Sequence, residues 1–132
     1  MSSESATFIN EMPATQFFDM TITEASDGVA SGTLPFNTGL CFDRGDNTVM
    51  HGAATFALAD NVGAAAVISQ FDEPEPAVTI DIRIDYLGAA TSDLHAEAEV
   101  RRFGRYVSVA DIVVDDTAGD QVALARGSYR TA

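Results

Sequence analysis

The sequence predicts an α+β fold in which a curved antiparallel sheet wraps around one long central helix. Two observations support this prediction. Residues 51–70 form a long, alanine-rich apolar segment without proline, and beyond residue 77 apolar and polar residues alternate with the period of a strand. At 132 residues the chain has room for one hydrophobic core, so we expect a single domain over 1–132.

The first third of the chain predicts a short helix and a hairpin. Residues Ala6–Met12 have the spacing of a helix, and Phe17–Ala25 and Val29–Leu34 flank the turn sequence Ser26-Asp27-Gly28. This arrangement is typical of a β-hairpin. The segment Pro35–Val49, rich in Gly, Asn and Asp, is predicted to be a long loop that is functional or packed under another element.

The central helix is predicted over His51–Gln70. Its apolar residues occur almost all round, which indicates a buried helix, and Pro74 and Pro76 end it.

Four strands that pair in order as an antiparallel meander are predicted at Val78–Tyr86, Leu94–Arg101, Tyr106–Asp115 and Val122–Tyr129. The side chains of the first strand that we expect to face the core are Val78, Ile80, Ile82, Ile84 and Tyr86.

The net charge of the chain indicates which partners it can bind and what kind of organism it comes from. Twenty acidic residues against seven basic ones, all arginine, give a net charge of −13. This charge repels a phosphate backbone, so we expect no nucleic-acid partner. Concentrated salt screens such self-repulsion, which favours a protein from a halophile; an acidic protein from a mesophile is the alternative.

The cysteine content, the first residues and the most apolar segment together predict a soluble, cytoplasmic protein. The single cysteine, Cys41, cannot form an intramolecular disulfide. The first residues lack the basic and apolar regions of a signal peptide. The most apolar segment is interrupted by Asp60 and is too short between charges to span a membrane, so no membrane partner is expected.

Asp60 is the most informative single residue. Aspartate is a poor helix former, and an ionised carboxylate in an apolar helix is costly unless it is paired or hydrogen-bonded. Asp60 is therefore either a catalytic carboxylate or, together with Asn61, part of a narrow stripe that faces solvent.

The entry into the helix is a second candidate element. A helix N-terminus offers unpaired N–H groups and a positive dipole end, which suit a developing oxyanion. Gly52 would let a ligand carbonyl approach the backbone closely. His51 could orient a ligand, act as acid or base, or cap the helix, and Asn47 or Thr48 could be an ordinary N-cap.

Other kinds of site find little support in the sequence. The two histidines, His51 and His95, and the lone cysteine lie in no metal-ligand spacing, so no metal is predicted. Phosphate-loop and nucleophile-elbow motifs are absent. The one basic cluster consists of Arg101, Arg102 and Arg105. It could bind ligand phosphates or pair with neighbouring acids.

The segment His51–Asp60, HGAATFALAD, resembles the His-Gly-Gly…Leu-Ala-Asp motif of hotdog-fold acyl-CoA thioesterases of the phenylacetic-acid-degradation (PaaI) type. Residues 78–82, 103–105 and 123–127 are similar to that family too. The resemblance implies a hotdog fold and thioester hydrolysis at sites on the interface of a dimer or dimer of dimers. Coenzyme A enters as part of the substrate, and the resemblance implies no separate cofactor.

The resemblance also implies residue roles. Gly52 would supply the N–H that polarises the thioester carbonyl, and Asp60 of the partner subunit would act as general base or nucleophile. His51 would help shape the carbonyl site. Thr79 matches a hydroxyl that helps to hold the water, although strand alternation places it on the polar face.

Two departures from the family motif concern the water-binding side of the site. Ala53 replaces the second glycine, and Gly45 stands where the family carries an amide, so that Asn47 is the nearest amide.

A non-catalytic acyl-CoA-binding or regulatory hotdog protein is the main alternative. A hydratase of the same fold ranks below it.

Overall fold

A computed structural model describes residues 3–131 of the chain. Over this range the helices are α1 (Glu4–Asn10), α2 (Pro13–Phe18) and α3 (Gly52–Ile68). The strands are β1 (Thr21–Ser26), β2 (Val29–Leu34), β3 (Cys41–Arg44), β4 (Asn47–Met50), β5 (Val78–Tyr86), β6 (Leu94–Arg102), β7 (Val107–Asp116) and β8 (Gln121–Arg130). Six strands form one antiparallel sheet in the order β1-β2-β6-β7-β8-β5, and β3 pairs with β4. The predicted α+β class is confirmed.

Helix α3 forms the centre of the core and packs against β2, β6 and β7. Leu58 and Val62 are completely buried, as expected for a helix that is apolar on nearly every side. Buried Tyr129 of β8 fits its ring and hydroxyl against Gly63 and Gly127, where an added Cβ would collide with it. Among residues 3–131, no helix combines the length and apolarity needed to cross a bilayer.

The N-terminal segment differs from its prediction in register. Helix α1 starts two residues before the predicted Ala6–Met12 and is capped by the Ser3 hydroxyl. Phe17, predicted to begin a strand, lies in α2 instead. Pro13 in the first turn favours this second helix, and Asp19, with φ of 61°, ends it.

The predicted hairpin is confirmed, whereas the predicted loop is wrong. β1 and β2 are joined by Asp27 and Gly28, whose positive φ angles of 52° and 83° match a two-residue hairpin turn. The segment after β2 is not irregular throughout. It contains a 3₁₀ turn at Thr38–Leu40 and the β3–β4 hairpin, which reverses at Gly45 with φ of 61°.

The predicted four-strand meander is wrong at its first connection. β6, β7 and β8 pair in order, but β5 pairs with β8 and lies at the edge of the sheet. Its second edge is unpaired in the part of the chain that the structure describes. Val78 and Ile80, predicted to face the core, are 60% and 54% exposed.

A β-bulge explains the exposure of Ile80. Thr79 pairs with Tyr129 and Asp81 pairs with Ser128, so Ile80 is an extra residue on β5. The insertion shifts the alternation by one. Thr79 therefore shares the helix-facing side with buried Tyr129, and the polar-face position that alternation predicts for Thr79 is wrong.

The opposite edge of the sheet is covered by a side chain of α1. The Asn10 amide accepts a hydrogen bond from the Ile22 N–H (2.7 Å) and donates one to the Ile22 carbonyl (2.9 Å). One side-chain amide thus replaces the backbone of a neighbouring strand at that point of β1.

Candidate active site

His51 caps helix α3, so the alternative of an Asn47 or Thr48 N-cap is wrong. Its Nδ1 accepts a hydrogen bond from the Ala53 N–H (3.0 Å), and its carbonyl accepts one from the Ala54 N–H (2.9 Å). The N–H of Gly52 has no hydrogen-bond partner within residues 3–131. It is a free donor at the positive end of the helix dipole.

Tyr86, at the end of β5, covers the same turn of the helix. Its hydroxyl donates to the Gly52 carbonyl (2.8 Å), and a Cβ built on Gly52 would lie 3.1 Å from the Tyr86 Cζ. Burial raises the pKa of Tyr86, so the phenol remains a donor at neutral pH. The sequence identified Tyr86 only as an apolar strand residue, because its contact with Gly52 depends on the fold.

A cleft of about 230 Å³ opens beside Gly52. Its apolar lining residues are Phe42, Val49, Met50, Tyr86, Ala89 and Ala90. The ring of Phe42 also meets the ring of His51 edge-on, with centroids 6.2 Å apart. Arg44 lines the cleft as well, and within the described chain it forms no ion pair.

Asp60 is a partly buried carboxylate held by defined contacts. The Thr79 hydroxyl donates to its Oδ1 at 2.7 Å, the length of a charge-assisted bond. The Tyr129 hydroxyl donates to its backbone carbonyl at 3.4 Å. Burial, the negative charge of Asp60 and the hydrogen bond to it all raise the pKa of Tyr129, so this phenol stays protonated beside the carboxylate.

Asn61 contacts the protein rather than forming a solvated stripe with Asp60. Its amide donates to the hydroxyl of Thr15 (3.1 Å), a side chain that is almost completely buried in α2. This bond fixes α2 against the helix one residue beyond Asp60.

The two halves of the candidate site are not brought together within one chain. Gly52 and Asp60 lie eight residues apart on one straight helix, which at 1.5 Å per residue separates them by about 12 Å. Strand β5 connects to both halves, because Thr79 near its start contacts Asp60 and Tyr86 at its end contacts Gly52.

The remaining predicted site residues lie further out. Asn47 is exposed at the start of β4, paired with Arg44 beside the hairpin turn. Arg101 binds Glu99 at 2.8 Å and Asp111 at 3.5 Å, as the acid-pairing alternative predicts.

The other two arginines of the cluster have different surroundings. The Arg105 guanidinium lies 5.2 Å from the centre of the Tyr106 ring, and Arg102 is exposed. Neither forms an ion pair among the described residues.

A long apolar helix enclosed by a curved six-stranded antiparallel sheet is the arrangement of hotdog-fold thioesterases. Residues 47–123 match the family model of the Thioesterase superfamily. The chain belongs to this family.

Named relatives agree with this assignment. A candidate esterase of Halobacterium salinarum is 34% identical over 131 residues, covering 93% of this chain and 87% of that protein. The E. coli PaaI protein of the phenylacetic acid degradation operon is 27% identical with a TM-score of 0.84, over 98% of this chain and 91% of that one. A conserved Pseudomonas aeruginosa protein is 28% identical with a TM-score of 0.83, over 94% and 97%.

The predicted family resemblance is therefore confirmed, and family membership supports a hydrolase. The Halobacterium relative comes from a halophile, in line with the salt adaptation that the charge of this chain predicts.

Proposed function

We propose that the chain is an acyl-CoA thioesterase in which each active site combines Asp60 of one subunit with the Gly52 N–H of the other. The observation that carries this proposal is the unpaired N–H of Gly52 at the start of a buried helix. A backbone donor at this position suits the oxyanion that forms when a thioester carbonyl is attacked.

Asp60 supplies the second function. As water attacks the carbonyl carbon, the Asp60 carboxylate takes its proton, and the Gly52 N–H stabilises the negative charge on the oxygen. The tetrahedral intermediate then expels the coenzyme A thiolate, which takes up a proton. Direct attack by Asp60 on the carbonyl, followed by hydrolysis of the resulting anhydride, is the alternative route.

A second copy of the chain is required to complete this site. The distance of about 12 Å along the helix is too long for one chain to place both groups on one carbonyl. Among residues 3–131, the outer edge of β5 is unpaired and carries exposed apolar side chains at Val78 and Ile80, and such edges favour pairing with another strand. We propose a homodimer through β5, from which a dimer of dimers could form.

Arginines without acidic partners would bind the phosphates of coenzyme A. Arg102 and Arg105 lie free of acidic partners in the described chain, and Arg44 lines the cleft beside Gly52. On a surface with a net charge of −13, such arginines offer the local attraction that an anionic substrate needs. His51 supports the carbonyl site by fixing the first turn of the helix.

Mixing two inactive variants tests whether the site is shared. Asp60→Asn removes the base, and Gly52→Val blocks the helix end. In a mixed dimer, one site carries both changes and the other carries neither. Random exchange makes half of the dimers mixed, so activity should return to about a quarter of the wild-type value in a two-fold symmetric dimer.

The outcomes of this experiment are distinct. A site within one chain would give no recovery on mixing, which would refute the shared arrangement. A non-catalytic acyl-CoA-binding protein would bind acyl-CoA saturably but release no thiol from any substrate in a panel of short, long and aryl thioesters in molar KCl. That result would overturn the enzyme proposal itself.

A further inference from the structure

We propose that Tyr129 is a positioning residue, whose buried hydroxyl fixes the turn of helix α3 that carries the Asp60 carboxylate. Because Tyr129 is completely buried, it acts through Asp60 rather than on the substrate. This inference rests on the proposed function, in which Asp60 takes the proton of the attacking water.

Two hydroxyl groups from one cross-strand pair hold Asp60 at two points. Thr79 of β5 and Tyr129 of β8 lie opposite each other, and the bulge at Ile80 leaves both on the side of the sheet that faces the helix. The Thr79 hydroxyl donates to the Asp60 carboxylate at 2.7 Å. The Tyr129 hydroxyl donates to the Asp60 backbone carbonyl at 3.4 Å. One contact therefore fixes the side chain, and the other fixes the main chain.

The stability of the core does not explain the hydroxyl of Tyr129. Within residues 3–131, its hydrogen-bond acceptors belong to Asp60. The bond to the carbonyl is longer than the usual distance of about 2.7–2.8 Å between two oxygens, and this carbonyl lies inside helix α3, where the helix itself provides a donor. A phenylalanine would fill the space of the ring without the cost of burying a hydroxyl.

Two glycines make room for this hydroxyl at a further cost. A Cβ on Gly63 would overlap the Tyr129 hydroxyl, and a Cβ on Gly127 would lie 2.6 Å from it. Gly63 lies inside a helix and Gly127 inside a strand, and glycine weakens both kinds of element. Three residues are therefore each unfavourable for stability at one point, and together they place a hydroxyl on Asp60. Such local departures from the most stable choice are expected at functional sites.

Accurate placement of the base is what this hydroxyl provides. A general base must lie within about 2.6–3.2 Å of the group whose proton it takes, and a displacement of about 1 Å can lower the rate about a hundredfold. Burial and the negative charge of Asp60 raise the pKa of Tyr129. The phenol therefore keeps its proton and remains a donor at neutral pH.

Combining Tyr129→Phe with Asp60→Asn tests whether Tyr129 acts through Asp60. The assay uses the acyl-CoA that the wild-type protein hydrolyses fastest, at saturation in molar KCl. Tyr129→Phe alone should lower kcat about tenfold with KM nearly unchanged. Added to Asp60→Asn, it should lower the residual kcat by no more than about twofold, because no base is left to position. The melting temperature of Tyr129→Phe should not fall, since a weakly bonded buried hydroxyl is removed.

Ser108→Ala is the matched control. Ser108 lies opposite Tyr129 on β7, and its buried hydroxyl accepts a hydrogen bond from the Gly104 N–H. Its deletion removes a buried hydroxyl without removing a hydrogen bond to Asp60, so kcat should stay near the wild-type value. An equal loss from Ser108→Ala, or equal losses from Tyr129→Phe with and without Asp60→Asn, would indicate general damage to the core and overturn the positioning role.

Gly63→Ala provides a second variant, because it displaces the hydroxyl without deleting it. Both kcat and the melting temperature should fall, and adding Tyr129→Phe should partly restore the melting temperature but not kcat. Wild-type kcat in Tyr129→Phe or in Gly63→Ala, beside a nearly inactive Asp60→Asn, would overturn the positioning role while the proposed function stands. Wild-type kcat in Asp60→Asn itself would instead refute the role of Asp60 in the proposed function.

Discussion

Replacing Asp60 with Asn should abolish most turnover while leaving the site's shape intact. The amide oxygen of Asn can still accept the Thr79 hydrogen bond, now 2.7 Å, and the Tyr129 hydroxyl binds a backbone carbonyl that the change does not touch. What disappears is the proton acceptor. General-base catalysis contributes about 10²–10⁴-fold, so kcat should fall by that factor, equivalent to about 3–5 kcal/mol.

The same change should leave binding and folding nearly unaltered. In the proposed site the helix start and the cleft, rather than Asp60, would hold the thioester, so KM should change little. The free energy of unfolding should hold or rise, because a partly buried charge is removed. Thr79→Val keeps the carboxylate but deletes its hydrogen bond, and we expect a smaller loss of kcat, about tenfold to a hundredfold.

Thiol release from the best acyl-CoA in molar KCl measures these effects, with melting temperature and sedimentation recorded on the same samples. Asp120→Asn is the matched control, since it makes the same substitution at an exposed turn position between β7 and β8. If Asp60→Asn remains a folded dimer and hydrolyses at the wild-type rate, the assignment of Asp60 as catalytic carboxylate is wrong.

Three further predictions concern stability and positioning. The melting temperature should rise steadily from low salt to molar KCl, because salt screens a net charge of −13; a melting temperature independent of KCl would refute salt adaptation. Tyr86→Phe removes the hydrogen bond to the Gly52 carbonyl and should lower the free energy of unfolding by about 1 kcal/mol and kcat severalfold, with the dimer retained in sedimentation. The hydrogen bond from Arg126 lowers the pKa of Asp111, and this effect outweighs that of partial burial. The pair therefore stabilises the folded state fully above the unfolded pKa of about 4. This stabilisation is lost as the pH falls through the lowered pKa of the folded state. Denaturant titrations in molar KCl between pH 6 and 2 should show that the free energy of unfolding falls less for Asp111→Asn than for wild type. An equal fall with pH in both proteins would contradict a stabilising role for the Asp111–Arg126 pair.

The sequence predicted the elements better than their arrangement. Helix α3 and the strands from β5 to β8 follow from periodicity, because the spacing of apolar residues indicates whether an element is buried on one side or on all sides. That β5 pairs with β8 rather than β6 depends on the path of the chain after the helix. Periodicity contains no information about that path.

The candidate site shows the same division. The sequence offers His51, Gly52 and Asp60 as candidates, because the first two lie at the start of a predicted helix and Asp60 interrupts an apolar one. Tyr86 could not be identified, since a tyrosine on the apolar face of a strand is ordinary until its hydroxyl is seen at the Gly52 carbonyl. Thr79 was placed on the wrong face, because a one-residue bulge leaves no signal in an alternating pattern that contains isoleucine at the extra position.

The Asn10 amide on Ile22 bears on how far assembly can proceed. A sheet with two accessible edges can add copies head to tail, and a heterologous contact of that kind grows into a filament. Here the β1 edge already has its Ile22 backbone groups occupied by a side chain of the same molecule. At the β5 edge, the isologous contact proposed above would use both available strands at once and leave neither for further growth. We therefore expect Asn10 to oppose strand addition at the β1 edge, and an Asn10→Ala chain would be the one to inspect for fibres by electron microscopy.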